Sequence, residues 1–231
     1  SVMSQNVNEI IDELKSEYAP DKRTAVWDVQ AEEHYEAWLL KGEVDKPEYK
    51  QIILDRLDSE KLKYVDSIKV LGCGWGMVKL SVASLRAEGR HAAEMVSQAI
   101  MGMPVKLLEP AGEWYKVQTP DDYISFVPAN SLALKSEKEL AEWRKAKRMI
   151  VTVGNTVLLS QPGSGETVSD LVLGNILEYK GKKGNWLHVA TPDGREGYVN
   201  SNQMEDFEKW SKQAFDADVV INTAKSMTGS G

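Results

Sequence analysis

Few residues in this sequence have the types and spacing that chemistry needs. The single cysteine, Cys73, lies in Gly72-Cys-Gly-Trp-Gly76. A nucleophilic cysteine needs thiolate character, drawn from a helix N-terminus or a neighbouring histidine base. The flanks here are glycines ahead of an expected strand, and the nearest histidine along the chain is His91. Cys73 therefore reads as a small apolar loop residue. His34, His91 and His188 are the only histidines. No His-x-x-x-His pair, Asp-rich calcium loop or phosphate-cradling glycine loop occurs. Pro162-Gly-Ser-Gly-Glu166 is too short for the Gly-x-Ser-x-Gly elbow of a hydrolase and falls in a turn between strands. No catalytic residue, metal site or cofactor is expected.

Composition narrows the classes further. The 231 residues are 42% hydrophobic and 27% charged, values of an ordinary globular protein, and allow one large domain or two small ones. Lys plus Arg number 28 against 35 Asp plus Glu, a formal charge of -7. Nucleic-acid binding needs a basic footprint that displaces counterions, and no stretch supplies one. Apolar runs fall well short of the ~20 residues of a membrane span. Ser1 to Lys15 is amphipathic and acidic, without the apolar centre of a secretion signal. One cysteine excludes an internal disulfide.

The elements that position any site are organised by an internal repeat. Shifted by 72 positions, Ala93–Leu132 falls on Gly165–Met204 without a gap. Gly102 matches Gly174, Gly112-Glu-Trp114 matches Gly184-Asn-Trp186, and Val117-Gln-Thr-Pro-Asp121 matches Val189-Ala-Thr-Pro-Asp193. Two copies are too few for a solenoid, so two small tandem domains are expected. Period-two runs such as Trp114-Tyr-Lys-Val117 and Trp186-Leu-His-Val189 predict strands. Gly112-Glu113, Gly184-Asn185, Pro120-Asp-Asp122 and Pro192-Asp-Gly194 predict tight turns. Short, evenly spaced strands predict a small closed barrel for each copy.

An acidic helix is expected after each copy, over Ser136–Lys147 and Glu205–Ala214. The first 75 residues do not repeat. They predict a helix over Val7–Glu17, a strand over Ala25–Val29, a helix over Tyr49–Leu62 and a strand over Tyr64–Leu71. A 40-residue barrel has little core, so this region is expected to pack on the first copy. The tail from Asp216 is expected to begin as a helix. Trp114 and Trp186 read as barrel core, and Trp143 and Trp210 as anchors that pack the two acidic helices down. Tyr123 breaks the repeat, because its partner is Arg195. A tyrosine just past a turn, where the sister copy accepts arginine, is expected at an exposed edge where its phenol can line a site.

These residues carry a resemblance. Gly102-Met-Pro-Val-Lys-Leu-Leu108, Gly112-Glu-Trp114, Val117, Asp121-Asp-Tyr123 and Phe126-Val127 resemble a bacterial SH3 domain. So do Gly174-Asn-Ile-Leu-Glu-Tyr179, Gly184-Asn-Trp186, Val189, Asp193-Gly-Arg195 and Gly197-Tyr-Val199. With Ala19-Pro-Asp-Lys-Arg23, Val26-Trp-Asp-Val29, Trp75-Gly-Met-Val78, Ser81-Val-Ala-Ser-Leu-Arg86 and Glu94-Met-Val-Ser-Gln98, the chain resembles the N-terminal region of NlpC/P60 cysteine peptidases. The subtype is the γ-D-glutamyl-L-diamino-acid endopeptidase, or dipeptidyl-peptidase VI, type.

The resemblance implies a mainly β fold with helical insertions, two SH3-like barrels in tandem. The expected divisions are an N-terminal helix at 1–19, a first SH3 domain at 20–135, a linker helix at 136–148, a second SH3 domain at 149–205 and a helical lead-in at 206–231. It implies a targeting and substrate-gating role in a cell-envelope peptidase, acting as a monomer, lipid-anchored before processing, on peptidoglycan stem peptides with a free N-terminal L-Ala. The catalytic domain would follow Gly231, and this chain alone would be inert. The resemblance further implies that an acid and a tyrosine of the first domain hold the substrate amine: Glu88, or less favoured Glu94, and Tyr123. Asp122, where the family has glycine, and Phe126 depart from its pattern. The rival expectation is a stand-alone module that binds cell-wall glycopeptide or a protein. Recognition of proline-rich peptides needs an exposed aromatic groove, which Arg195 and Tyr198 do not offer.

Overall fold

A computed structural model of the chain describes residues 6–216. The expected lead-in beyond residue 216 lies outside the described residues. By backbone contacts the chain divides into two compact units. Of the described residues, 6–74, 86–94 and 105–127 form the first, and 75–85, 95–104 and 128–216 the second.

In the first unit, α1 (Val7–Tyr18) starts at Asn6, whose side chain accepts the Asn8 N–H at 3.0 Å and so satisfies one orphan donor of the first turn. Val7, Ile10, Ile11 and Leu14 are buried, the face their spacing predicts. Strands β1 (Trp27–His34) and β2 (Ala37–Val44) pair antiparallel, and β2 pairs in parallel with β3 (Tyr64–Val70). Parallel neighbours require a crossover, here supplied by α2 (Pro47–Ser59). Pro47 fits the first helical position, where no intrahelical partner is lost. The helix begins and ends earlier than its apolar pattern predicts. Ile53 and Leu57 are buried, while Ile52 and Leu62 pack only partly.

Strand β2 was not among the expected elements. Its burial follows no clean alternation: it is the middle strand, Leu40 and Val44 are buried, and Lys41 and Gly42 between them are exposed. With it, this region builds a core of its own from residues 7–68. Ile10, Ile11, Leu40, Ile53 and Leu57 are at most 1% exposed, and burying each such side chain contributes roughly 1.5–3 kcal/mol. The region also packs on the first repeat copy, as expected. Val26 and Leu71 meet Leu108 and Ile124, the Gly72 N–H donates to the Leu108 carbonyl at 3.0 Å, and the Ile124 N–H to the Arg23 carbonyl at 2.7 Å.

The repeat follows as β4 (Gly74–Val78), β5 (Val82–Arg86), β6 (Met95–Ile100), β7 (Pro104–Ala111), β8 (Trp114–Gln118), β9 (Ile124–Pro128) and β10 (Leu132–Lys135). After α3 (Glu137–Lys145) come β11 (Arg148–Val151), β12 (Asn155–Gln161), β13 (Ser164–Val172), β14 (Ile176–Lys183), β15 (Trp186–Ala190), β16 (Glu196–Asn200) and β17 (Met204–Asp206). Strands β7, β8 and β9 recur as β14, β15 and β16 at an offset of 72 residues. A bulge interrupts β7–β8 between Leu107 and Glu109 and interrupts β14–β15 at the equivalent Tyr179 and Gly181. The hairpin glycines Gly112 and Gly184 have φ of 64° and 61°, the left-handed geometry their turns require.

In the second unit, β11 to β17 form one antiparallel sheet in the order β13-β12-β16-β15-β14-β11-β17. Leu158, Leu171, Leu177, Val189 and Val199 fill its core. Helix α3 carries the reciprocal Ser136–Glu139 cap and buries Leu140 and Trp143 against Met77. Two tryptophans depart from expectation. Trp186 is half-buried, since it points to the outer side of β15 while Leu187 and Val189 point in. Trp210 is 38% exposed and, among the described residues, stacks on Phe207 at 6.4 Å. The second acidic helix starts at residue 207, because residues 204–206 extend the sheet as β17.

Candidate functional site

The first unit brings both expected site residues to the same end of one strand pair. Arg86 in β5 lies opposite Phe126 in β9. β5 ends at Arg86 and β9 begins at Ile124, so Glu88 follows the one strand and Tyr123 precedes the other. Both candidates are open to solvent: the Glu88 side chain is 63% exposed and Tyr123 46%.

The loop that carries Glu88 is ordered by its own hydrogen bonds. The Ala87 N–H donates to the Glu94 carbonyl at 2.8 Å, the Arg86 guanidinium to the Ala93 carbonyl at 2.9 Å, and the Arg90 N–H to the Glu88 carbonyl at 2.9 Å. It folds over Trp114. The backbone at Gly89 is within van der Waals reach of the Trp114 and Phe126 side chains, and the His91 ring sits 4.9 Å from Trp114, edge to face. That cover leaves Trp114 7% exposed. Glu88 is not free: the Arg90 guanidinium donates to its carboxylate at 2.8 Å. Glu94 is exposed at the base of the loop, at the opposite stem from Glu88.

Tyr123 is presented by the turn Thr119–Tyr123. The Asp122 N–H donates to the Thr119 carbonyl at 2.9 Å, and the Thr119 N–H to the Tyr123 carbonyl at 3.0 Å. The Thr119 hydroxyl donates to the Asp121 carboxylate. Asp122 takes φ 69° where Gly194 of the second copy takes 87°. The family's glycine is therefore replaced without loss of the left-handed geometry, which aspartate tolerates better than most residues. Arg23 and Asp21 were not found from sequence as neighbours of this site. The Arg23 guanidinium lies 6.0 Å from the Tyr123 ring centroid and is held by two 3.0 Å contacts to Asp21. Its hydrogen bonds keep the Asp21 carboxyl below the usual carboxylate range. Only the stretch Ala19-Pro-Asp-Lys-Arg23 hinted at them, and nothing in its pattern located the ring it would meet.

The second copy uses the same position differently. Its turn is built alike, with Thr191 donating to the Asp193 carboxylate at 2.6 Å and the Gly194 N–H to the Thr191 carbonyl at 2.9 Å. Arg195, which replaces Tyr123, donates to the Lys79 carbonyl at 2.7 Å and to Asp193 at 2.9 and 3.0 Å. Burial raises the Asp193 pKa, but hydrogen bonds from Thr191 and Arg195 outweigh it and hold the carboxyl below its ordinary value. Arg195 is thus a structural tie.

Other chemistry is weak. Desolvation, aided by the Glu109 carboxylate, pushes the Cys73 thiol pKa up, so a thiolate is disfavoured. Among the described residues no group of His, Cys, Asp and Glu could hold a metal ion, and no helix is long and apolar enough to cross a membrane. A cleft of about 580 Å³ in the second unit is lined by Trp143, Glu139, Glu142, Glu178, Asp193 and Glu196, among others. A cleft of about 430 Å³ in the first unit lies between α1 and β1. Neither is lined by Glu88 or Tyr123.

Residues 85–132 match the family described as the bacterial dipeptidyl-peptidase SH3 domain. No curated protein matches the chain. Among solved structures, an NlpC/P60 family protein from Bacillus cereus is similar at 15% identity and a TM-score of 0.48, over 58% of this chain and 56% of that one. An NlpC/P60 endopeptidase from Photobacterium damselae subsp. piscicida is similar at 17% identity and a TM-score of 0.43, over 58% of this chain and 33% of that one. The similarity thus spans about half or less of either structure's length. The matched stretch contains Glu88, Glu94 and Tyr123, and the chain is mainly β with an SH3-like domain, over residues 85–132, similar to that of bacterial dipeptidyl peptidases.

Proposed function

We propose that this chain is the accessory, substrate-gating part of a cell-wall peptidase, and that Glu88 and Tyr123 hold the N-terminal amine of its peptide substrate. The observation that carries the reading is the position of two exposed residues, both inside the family match, at one end of the β5–β9 pair. The second copy has spent the equivalent position on a structural tie through Arg195. An α-amine, with a pKa of about 7.7–8.0, is mostly cationic at pH 7 and pairs with a carboxylate. Tyr123 adds an aromatic face and a phenolic oxygen beside it.

On this reading the substrate is a murein stem peptide with a free N-terminal L-Ala, cut between γ-D-Glu and the diamino acid. The domains run 20–135 and 149–205, the protein works as a monomer in the cell envelope, and an NlpC/P60 catalytic domain follows Gly231. The gene beyond Gly231 should encode Asp-Cys-Ser-Gly and two later histidines; a stop codon would transfer the reading to a stand-alone wall- or protein-binding module.

The test compares wild type, Glu88→Gln and Tyr123→Phe in the protein carrying its catalytic domain, on free and N-acetylated peptides. Charge-assisted hydrogen bonds are worth roughly 1.5–3 kcal/mol, so Glu88→Gln should lower activity on the free amine about ten- to a hundredfold. Acetylated peptides should be poor substrates for wild type. Equal activity of all three proteins on both peptides would remove the assignment.

A further inference from the structure

The outer edge of β1 carries backbone groups that no strand pairs with among the described residues, since β1 ends the three-stranded sheet. Which groups point outward follows from two fixed points. The Asp45 N–H donates to the Val26 carbonyl at 3.1 Å and the Val26 N–H to the Asp45 carboxylate at 2.9 Å, so Val26 faces β2 and the start of α2. The Ala31 N–H and carbonyl are both taken by the Asn8 side-chain amide, at 2.8 and 2.9 Å, so Ala31 faces away. The ladder from Trp27 to His34 has no register shift, and antiparallel residues alternate in direction. Trp27 and Val29 therefore also direct their N–H and carbonyl groups away from β2.

Those groups border a cleft of about 430 Å³ lined by Asn8, Asp12 and Lys15 of α1 and by Trp27 to Ala31. A second cleft of about 200 Å³ shares Lys15, Trp27 and Asp28 with it and adds Lys22 and Lys116. Together they form a channel along the edge, with Asp12 toward the Ala31 end. Lys15, Lys22 and Lys116 line the smaller cleft toward the Trp27 end, where Asp28 is the one acidic residue of its lining. Asn8 occupies the outward backbone groups of Ala31, as a bound chain would, at the end of the cleft.

We propose that this edge binds a short extended peptide by strand addition, distinct from the amine site at Glu88 and Tyr123. The peptide runs antiparallel to β1 and exchanges backbone hydrogen bonds with Trp27 and Val29. Its carboxylate lies among Lys15, Lys22 and Lys116, and its amine toward Asp12. The span from Trp27 to Ala31, at ~3.4 Å per residue, takes about four residues.

The probe is the free tetrapeptide Ser-Val-Thr-Val, titrated into the isotopically labelled chain and followed by NMR. Saturable binding with slowed hydrogen exchange at the Trp27 and Val29 amides is expected. N-methylation of one of two successive internal peptide nitrogens should weaken binding at least about tenfold, and methylation of the next should be tolerated, because strand addition has a period of two. This arm leaves the protein unaltered. Amidating the carboxyl end, or Lys22→Glu with Lys116→Glu, should weaken binding about five- to tenfold. Val29→Pro, which removes an outward N–H that an edge strand can spare, should act like the sensitive methylation. No saturation by about 5 mM, equal tolerance of both methylations, equal affinity of free and amidated peptides, or dimerisation of the chain through this edge in place of peptide binding would each overturn the proposal. None of these outcomes bears on Glu88 and Tyr123, which line neither cleft.

Discussion

The two repeat copies share strand bounds, a bulge and turn chemistry, yet they differ at the positions where a side chain leaves the sheet. Trp114 and Trp186 open equivalent strands, but the Gly89–His91 loop covers Trp114, and Trp186 remains half-buried. Tyr123 and Arg195 end equivalent turns. Arg195 is bound to two carbonyl groups and a carboxylate, whereas Tyr123 stands exposed beneath a guanidinium. The difference teaches that a duplicated scaffold keeps its backbone-determining residues and diverges where side chains have found new partners. The copy whose divergent residue is needed for stability is the poorer candidate for a site.

The tryptophans should show the largest contrast. Trp114→Ala opens a cavity under the loop and should cost about 3–5 kcal/mol, while Trp186→Ala should cost roughly 1–2 kcal/mol, since only part of its area is buried. Urea denaturation measures both, and equal losses would dissolve the contrast.

Next comes the pair after the turn. Arg195→Ala strands two carbonyls and the Asp193 carboxylate and should cost about 2 kcal/mol, whereas Tyr123→Ala should stay within about 0.5 kcal/mol. The Arg195 effect should depend on pH. The Asp193 pKa is depressed on folding, so its stabilisation is present above the unfolded value of about 3.9 and is lost as pH falls through the folded value. The gap between wild type and Asp193→Asn should therefore narrow below about pH 4. A gap that is constant from neutral to acid pH would show that this carboxylate contributes nothing through its charge.

The smallest contrast lies in the turns themselves. Asp122→Gly should stabilise the first copy by up to about 1 kcal/mol, and Gly194→Asp should destabilise the second by a similar amount, because both positions are left-handed and Gly194 has open space around it. Thermal denaturation of the two single variants checks the signs. Shifts of the same sign would mean that the turns are not equivalent.

Much of this was legible before the structure. The repeat, its hairpins and the turns around Asp121 and Asp193 were readable because proline fixes φ and glycine admits the left-handed φ that the turns need, each within its own residue. The α1 face was readable because its four apolar positions recur at helical spacing. Strand β2 was not, since a middle strand with partly buried residues on both faces shows no alternation. The shift of the last helix to residue 207 was hidden because Met204–Asp206 carries the same acidic, apolar mixture as the helix it precedes. At the candidate site, Glu88 and Tyr123 came from a family resemblance and a break in the repeat. Arg90 and Arg23, which hold and flank them, carried no signal of these neighbours, because surface arginines look alike until a fold gives them partners.

The sequence by itself determined where the chain turns and which strands are copies of one another. These depend on torsional freedom and hydrogen-bonding options a few residues apart, and so are written locally. Only the tertiary structure decided which tryptophan is covered, which turn is tied down by arginine, and that Trp27 and Val29 lie on a sheet edge unpaired among the described residues. Each of those depends on groups brought together from distant parts of the chain. Val26, for example, meets Asp45 across 19 positions and Arg195 meets Lys79 across 116, and burial and hydrogen bonding at such separations follow from packing alone.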